Sequence, residues 1–104
     1  MQKDIIEKIE QDFAEPELVL RILESVESKS GEVLPDRICR SMIYLARGDI
    51  ERLTHYIELF FQDYRDLLWQ AEYEDPEVHK YDFNRTFYEL GLIMPGEYKQ
   101  PGSK

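Results

Sequence analysis

Apolar residues recur along this chain every three or four positions, and that spacing predicts helices from end to end. In residues 2–13 the repeat is Ile5, Ile6, Ile9 and Phe13, which share one side of a helix. A second helix opens at Pro16, where a missing N–H costs nothing at the first helical position. It carries Val19, Ile22, Leu23 and Val26 and stops at Gly31, which tolerates the left-handed conformation of a helix end. A third runs from Pro35 to about Arg47, with Ile38, Met42 and Leu45 on one strip and Cys39, Ile43 and Ala46 on the next.

Arg47, Gly48 and Asp49 spell an integrin-binding tripeptide. Physically they are a helix stop followed at once by a helix start. Gly48 supplies a positive φ, and the Asp49 carboxylate can accept from the free N–H groups of the next helix. Capping chemistry accounts for both residues, and a tight helical hairpin is expected there.

The fourth helix is expected over residues 50–73 or 74, with Ile50, Leu53, Ile57, Phe60, Tyr64, Leu67, Leu68 and Ala71 at helical spacing. Asp75 precedes Pro76, and a residue before proline avoids the helical region, so the helix ends there. At ~1.5 Å per residue it would be about 35 Å long, the spine of the fold. Beyond it Asp82 or Asn84 can cap a short helix through Leu90, broken by Gly91 and Pro95. Tyr81, Phe83, Phe87 and Tyr88 make this tail too apolar to stand in water. The expected architecture is therefore all-α: a small four-helix arrangement, its third and fourth helices a hairpin, with an irregular aromatic C-terminal tail packed on the long fourth helix. Residues 1–98 form one helical domain and residues 99–104 a mobile end.

Charge narrows the partners. The chain carries −9. Residues 1–30 hold four basic and eight acidic side chains, and residues 49–75 hold two and eight, so the acid is concentrated in those two stretches. Counterion release on nucleic acid needs Lys and Arg, so nucleic-acid binding is disfavoured, and anionic membranes are disfavoured for the same reason. A basic protein partner is favoured electrostatically. No apolar run is long enough to span a bilayer and no export signal is visible, which reads as a cytoplasmic protein. The single cysteine, Cys39, fits a reducing compartment.

The only tryptophan is the oddity. On a continuous fourth helix turned ~100° per residue, with Glu51 at zero, the apolar residues fall between about 160° and 260°. Trp69 falls near zero, with His55, Glu58, Gln62, Arg65, Asp66 and Tyr73 within about 60° of it. Two readings follow. Either the aromatic tail doubles back and covers Trp69 as a satellite core, or Trp69 is an exposed anchor. Trp, Tyr and Arg dominate interface hot spots, so Trp69, Arg65 and Tyr73 become candidate partner-binding residues. Gln62 shares their face, and Glu58, Asp66 and Glu72 form an acidic rim.

Other chemistry is thin. Glu51, His55 and Glu58 line up at four- and three-residue spacing and are weak metal-ligand candidates, short of a fourth ligand on a second helix. Cys39 has Arg37 and Arg40 close by, which could lower its pKa, but its spacing with Ile43 and Ala46 places it in the core. Arg37, Arg40, Tyr44 and Arg47 form a stripe expected to meet Asp63 and Glu58 in inter-helix ion pairs, each worth ~0–1 kcal/mol. No catalytic residue and no cofactor emerges. The reading is a non-catalytic, acidic interaction module: an adaptor, inhibitor or immunity-like protein that binds a basic partner. A homodimer burying the Trp69 face is the alternative, and a metal-dependent enzyme using the Glu51, His55 and Glu58 face is a third.

Overall fold

The structure, a computed structural model, describes residues 1–75 and 78–93. It is mostly helical: α1 Lys3–Asp12, α2 Pro16–Ser30, α3 Asp36–Ala46, α4 Ile50–Gln62 and α5 Tyr64–Glu72, followed by the short strands β1 Tyr73–Asp75 and β2 Val78–His79. The expected mobile stretch 99–104 and the proline at 76 lie outside the described residues. Among the described residues no helix is long and apolar enough to cross a membrane.

The helix ends follow local chemistry. Gly31 closes α2 at φ 77°, with its N–H donated to the Glu27 carbonyl. Between α3 and α4 both Arg47 and Gly48 take positive φ, 52° and 81°, so the stop needs two left-handed residues rather than one. A Cβ on Gly48 would collide with the Asp12 carbonyl, so this glycine also seats the end of α1. Asp49 accepts from the Glu51 and Arg52 amides and opens α4.

The expected long fourth helix is two helices. Asp63 breaks it, in an extended conformation with φ −162° and ψ 92°. Its side chain accepts from the Arg65 and Asp66 amides, so it ends α4 and caps α5 with one residue. Aspartate competes with the helical backbone for such bonds, and here the cap wins over apolar periodicity that runs through without a gap. The fold therefore has five helices among the described residues, not four, and no continuous wheel relates Glu51 to Trp69. The second helical stretch also ends at Glu72, before the residues expected to stop it.

α3 is the central element. Eight of its eleven residues are buried, Arg40 and Ser41 included. It packs against α1, α4 and α5. One buried cluster joins Ile5 and Ile9 of α1, Leu23 of α2, Met42 and Ile43 of α3, Leu53 of α4, Leu67 of α5, and Phe83 and Phe87 of the tail. At roughly 25 cal/mol per Å² of apolar surface removed from water, this cluster is the main stabilising term.

The tail takes another path from the one expected. β1 and β2 pair antiparallel, Tyr73 opposite His79, so the chain reverses at the end of α5. The Lys80 and Tyr81 amides both donate to the Glu72 carbonyl, at 2.7 and 3.0 Å. The tail then crosses α3 and reaches α1. Tyr44 meets Tyr81 and Phe83, with ring centroids 5.2 and 5.3 Å apart. Lys8 donates to the Leu92 carbonyl at 2.7 Å and sits over the Phe87 ring. The tail is thus packed on α3 and α1 rather than along a fourth helix. The short helix expected through Leu90 is a single turn, in which Thr86 and Glu89 cap one another side chain to amide.

Candidate protein-interaction face

Two arginines on α3 hold the tail, and one of them, Arg37, borders Trp69. Arg40 is buried and closes a two-pronged bond on Asp4, Nε to Oδ2 at 2.9 Å and Nη2 to Oδ1 at 3.1 Å. Its third nitrogen donates to the Phe83 carbonyl at 3.1 Å. Asp4 also accepts the Phe87 amide at 2.8 Å. Burial pushes the Asp4 carboxyl up, but the Arg40 and Phe87 bonds outweigh it and hold the group below its usual range.

Arg37 repeats the pattern one turn earlier. Its Nε and Nη2 donate to the two oxygens of Glu72 at 2.9 and 2.6 Å. Glu72 in turn accepts the Phe83 amide at 3.0 Å, and the His79 imidazole stands 3.8 Å from its other oxygen. Glu72 keeps the Arg37 guanidinium even more firmly protonated than usual. These are not the pairs expected of the stripe. Arg37 and Arg40 meet Glu72 and Asp4, not Asp63 and Glu58, because α5 and α1 flank α3 and the tail closes over it.

The clamp on Glu72 forms one wall of a hollow of about 400 Å³ lined by Arg37, Arg65, Leu68, Trp69, Glu72, Tyr73 and His79. Trp69 is 46% exposed and Tyr73 38% exposed. Tyr73 and His79, cross-strand neighbours, face each other with centroids 4.9 Å apart. Arg65 is exposed, beside the Tyr64 ring. Two tail aromatics are buried away from Trp69: Phe83 against Tyr44 of α3, and Phe87 against Phe83 and under Lys8 of α1.

Of the sequence-based candidates, Trp69, Arg65 and Tyr73 come together at this hollow. Asp66 does not line it and holds the Gln70 amide at 3.1 Å. Gln62 is exposed at the last turn of α4, on the far side of the Asp63 break. Glu58 lines a different, apolar hollow with Ile22, Val26, Ile57 and Phe61. Glu72, expected on an acidic rim, is 1% exposed and neutralised. In the immediate lining Arg37 and Glu72 offset each other, and Arg65 is the exposed cation beside the rings. Sequence reasoning missed Arg37, Leu68 and His79. Leu68 and Arg37 carry no local signal for this role, and His79 arrives only through the β1–β2 reversal.

Glu51, His55 and Glu58 are exposed on α4, and among the described residues no group of three or more His, Cys, Asp or Glu side chains is arranged to hold a metal ion. Cys39 is buried as its spacing predicts. Burial, with Glu27 and Asp36 adding to it, pushes its thiol up to about 12, so the neighbouring arginines do not activate it. Comparison with family models, with curated proteins and with solved structures returns no match.

Proposed function

We propose that this chain is a non-catalytic protein-interaction module, and that Trp69, Arg65 and Tyr73 anchor the partner. One observation carries the reading. The residues that most often dominate interfaces stand half-exposed around a single hollow, while Phe83 and Phe87 of the nearby tail are buried elsewhere. The net charge of −9 favours a basic partner at long range, and it suits an adaptor, inhibitor or immunity-like role by analogy of behaviour alone. At short range the exposed Arg65 favours uncharged or acidic side chains of that partner in the hollow itself, with its basic residues over the surrounding acid of α4 and α5.

Trp69 is the chain's only tryptophan, so its fluorescence reports directly on this face. Wild-type bait and Trp69→Ala bait, both checked for native circular dichroism, would be used to capture partners from lysate of the source. A basic protein retained by the wild type alone, which then shifts Trp69 emission to the blue when purified and titrated, supports the reading. Loss of the fold in Trp69→Ala, or capture by both baits alike, ends it. The second reading is a homodimer that buries this same face. Light scattering across a concentration series separates the two, because only self-association raises the mass of the isolated chain.

A further inference from the structure

A second surface has the opposite character. A groove of about 690 Å³ runs between the start of α1, the middle of α2 and the segment that leads into α3. Ile6 and Leu20, both half-buried, and the buried Leu34 form its floor. Glu24, Glu27 and Asp36 stand along it and outnumber the two cationic groups of the lining, Lys3 and the amino group of Met1. Lys3 is drawn toward Glu7, 3.9 Å away. Glu27 is fixed in place by the Leu34 amide, which donates to it at 2.7 Å. At the mouth Val33 is 81% exposed, the most exposed large apolar residue described.

We propose that this groove docks a basic amphipathic helix of a partner protein, independently of the Trp69 face. The charges choose the occupant. Three carboxylates beside an apolar floor repel nucleic acid and anionic lipid and leave apolar contact uncompensated for an acidic helix. A helix with apolar residues at i, i+3, i+4 and i+7 lays that stripe on Ile6, Leu20 and Leu34, and its flanking Lys or Arg side chains then reach Glu24 on one side and Asp36 on the other. Both acids come from elements held rigidly by the core, α2 and the first turn of α3, so the occupant meets a preformed surface. Val33 at the mouth gains cover only when the groove is filled.

The test uses the full chain and two dye-labelled helical peptides of the same length, one patterned with Leu and Lys, the other with Leu and Glu. Fluorescence anisotropy reads binding. The Leu–Lys peptide is expected to bind and the Leu–Glu peptide not. A Glu24→Gln/Asp36→Asn double variant is expected to weaken Leu–Lys binding about tenfold, as two exposed charge contacts allow. A charge-matched control, Glu17→Gln/Glu51→Gln, changes bulk charge equally away from the groove and is expected to move binding less than about twofold. Leu20→Gln, which spoils the floor and keeps the charge, is expected to weaken binding by a similar factor to the groove pair. Amide NMR shifts caused by the peptide are expected to cluster in residues 1–6, 20–27 and 33–36, which locates the site in wild-type protein without any variant. Trp69→Ala is expected to leave all of this unchanged, so failure here and failure of the Trp69 reading are separate results. Equal weakening by both double variants would mean bulk attraction only and overturn the proposal. Shifts centred elsewhere, or a doubling of mass by light scattering that Leu20→Gln abolishes, would overturn it too, the latter by assigning the groove to a second copy.

Discussion

Arg37 and Arg40 stand one turn apart on α3, and each closes both prongs on a single carboxylate, yet the two clamps live in different media. Arg40 and Asp4 have side chains 4% and 2% exposed, whereas the Arg37 side chain is 39% exposed over a buried Glu72 carboxylate. Each carboxylate also takes one amide of the tail, Phe87 for Asp4 and Phe83 for Glu72. The inner clamp therefore fastens α1, α3 and the tail in a place water does not reach. The outer clamp fastens α5, α3 and the tail, and it doubles as a wall of the Trp69 hollow. The same chemistry is structural in one place and a boundary of the candidate binding face in the other. A buried pair is no gain over a well-packed apolar substitute, but losing half of it is costly, because the orphaned charge stays in the core.

Removing Arg40 tests this most severely. Arg40→Ala leaves Asp4 ionised or forces it to take a proton, and also strands the Phe83 carbonyl. A loss of about 3–5 kcal/mol is expected, read as a lower urea midpoint. A double replacement, Asp4→Leu with Arg40→Met, is expected to recover most of that loss, since neither charge then remains buried. A double variant as unstable as the single one would show that the clamp itself, not the orphaned charge, matters.

Arg37→Ala opens the outer clamp. Water can reach Glu72 once the half-exposed guanidinium is gone, so the expected loss is smaller, about 1–3 kcal/mol. Equal losses at Arg37 and Arg40 would break the contrast drawn above. Arg37→Ala is also expected to change partner capture at the Trp69 hollow, which Arg40→Ala should not do except through unfolding.

The acid limb of stability tests the inner clamp by another route. Asp4 has its folded pKa held below the usual value, so in acid the unfolded chain binds a proton that the folded chain refuses. Its contribution is complete above the unfolded pKa of about 3.9 and is lost as pH falls toward the folded value. Thermal melts of Asp4→Asn are therefore expected to depend less on pH between about 5 and 3 than wild type does. A parallel pair of curves would assign acid unfolding to other carboxylates.

The smallest effect on stability is expected at the exposed end of the comparison. Trp69→Ala removes a half-exposed ring outside the buried cluster, and a loss of about 1 kcal/mol or less is expected in the same urea titration. A loss like that of Arg40→Ala would mean that Trp69 supports the core and would remove the main support for an interaction face.

The local grammar of the chain was legible. Pro16 and Gly31 bound α2, and Asp49 caps α4, because a missing N–H, a positive φ and a short carboxylate act within a few residues of themselves. Asp63 obeys the same rule, its carboxylate accepting the Arg65 and Asp66 amides. Apolar spacing continues across Asp63 and masks the break, so a single helical wheel misplaces the residues on either side of it. Trp69, Arg65 and Tyr73 share a hollow all the same, since they lie on α5 and its immediate continuation. Glu58 and Gln62, on the other side of the break, do not line it.

Short-range chemistry sets the helical character, most of the helix ends and the apolar sides of α1, α2 and α3. Which charges go inside depends on long-range packing. Asp4, Arg40 and Glu72 look like surface residues on any periodic reading, and each is buried because a partner tens of residues away neutralises it. The tail's path over α3, and with it the exposure of Trp69, follows from those pairings, since the carboxylates of Asp4 and Glu72 hold the tail amides in place. A charge can enter a core only when its counter-charge and hydrogen bonds arrive with it, and no local window of sequence contains both halves.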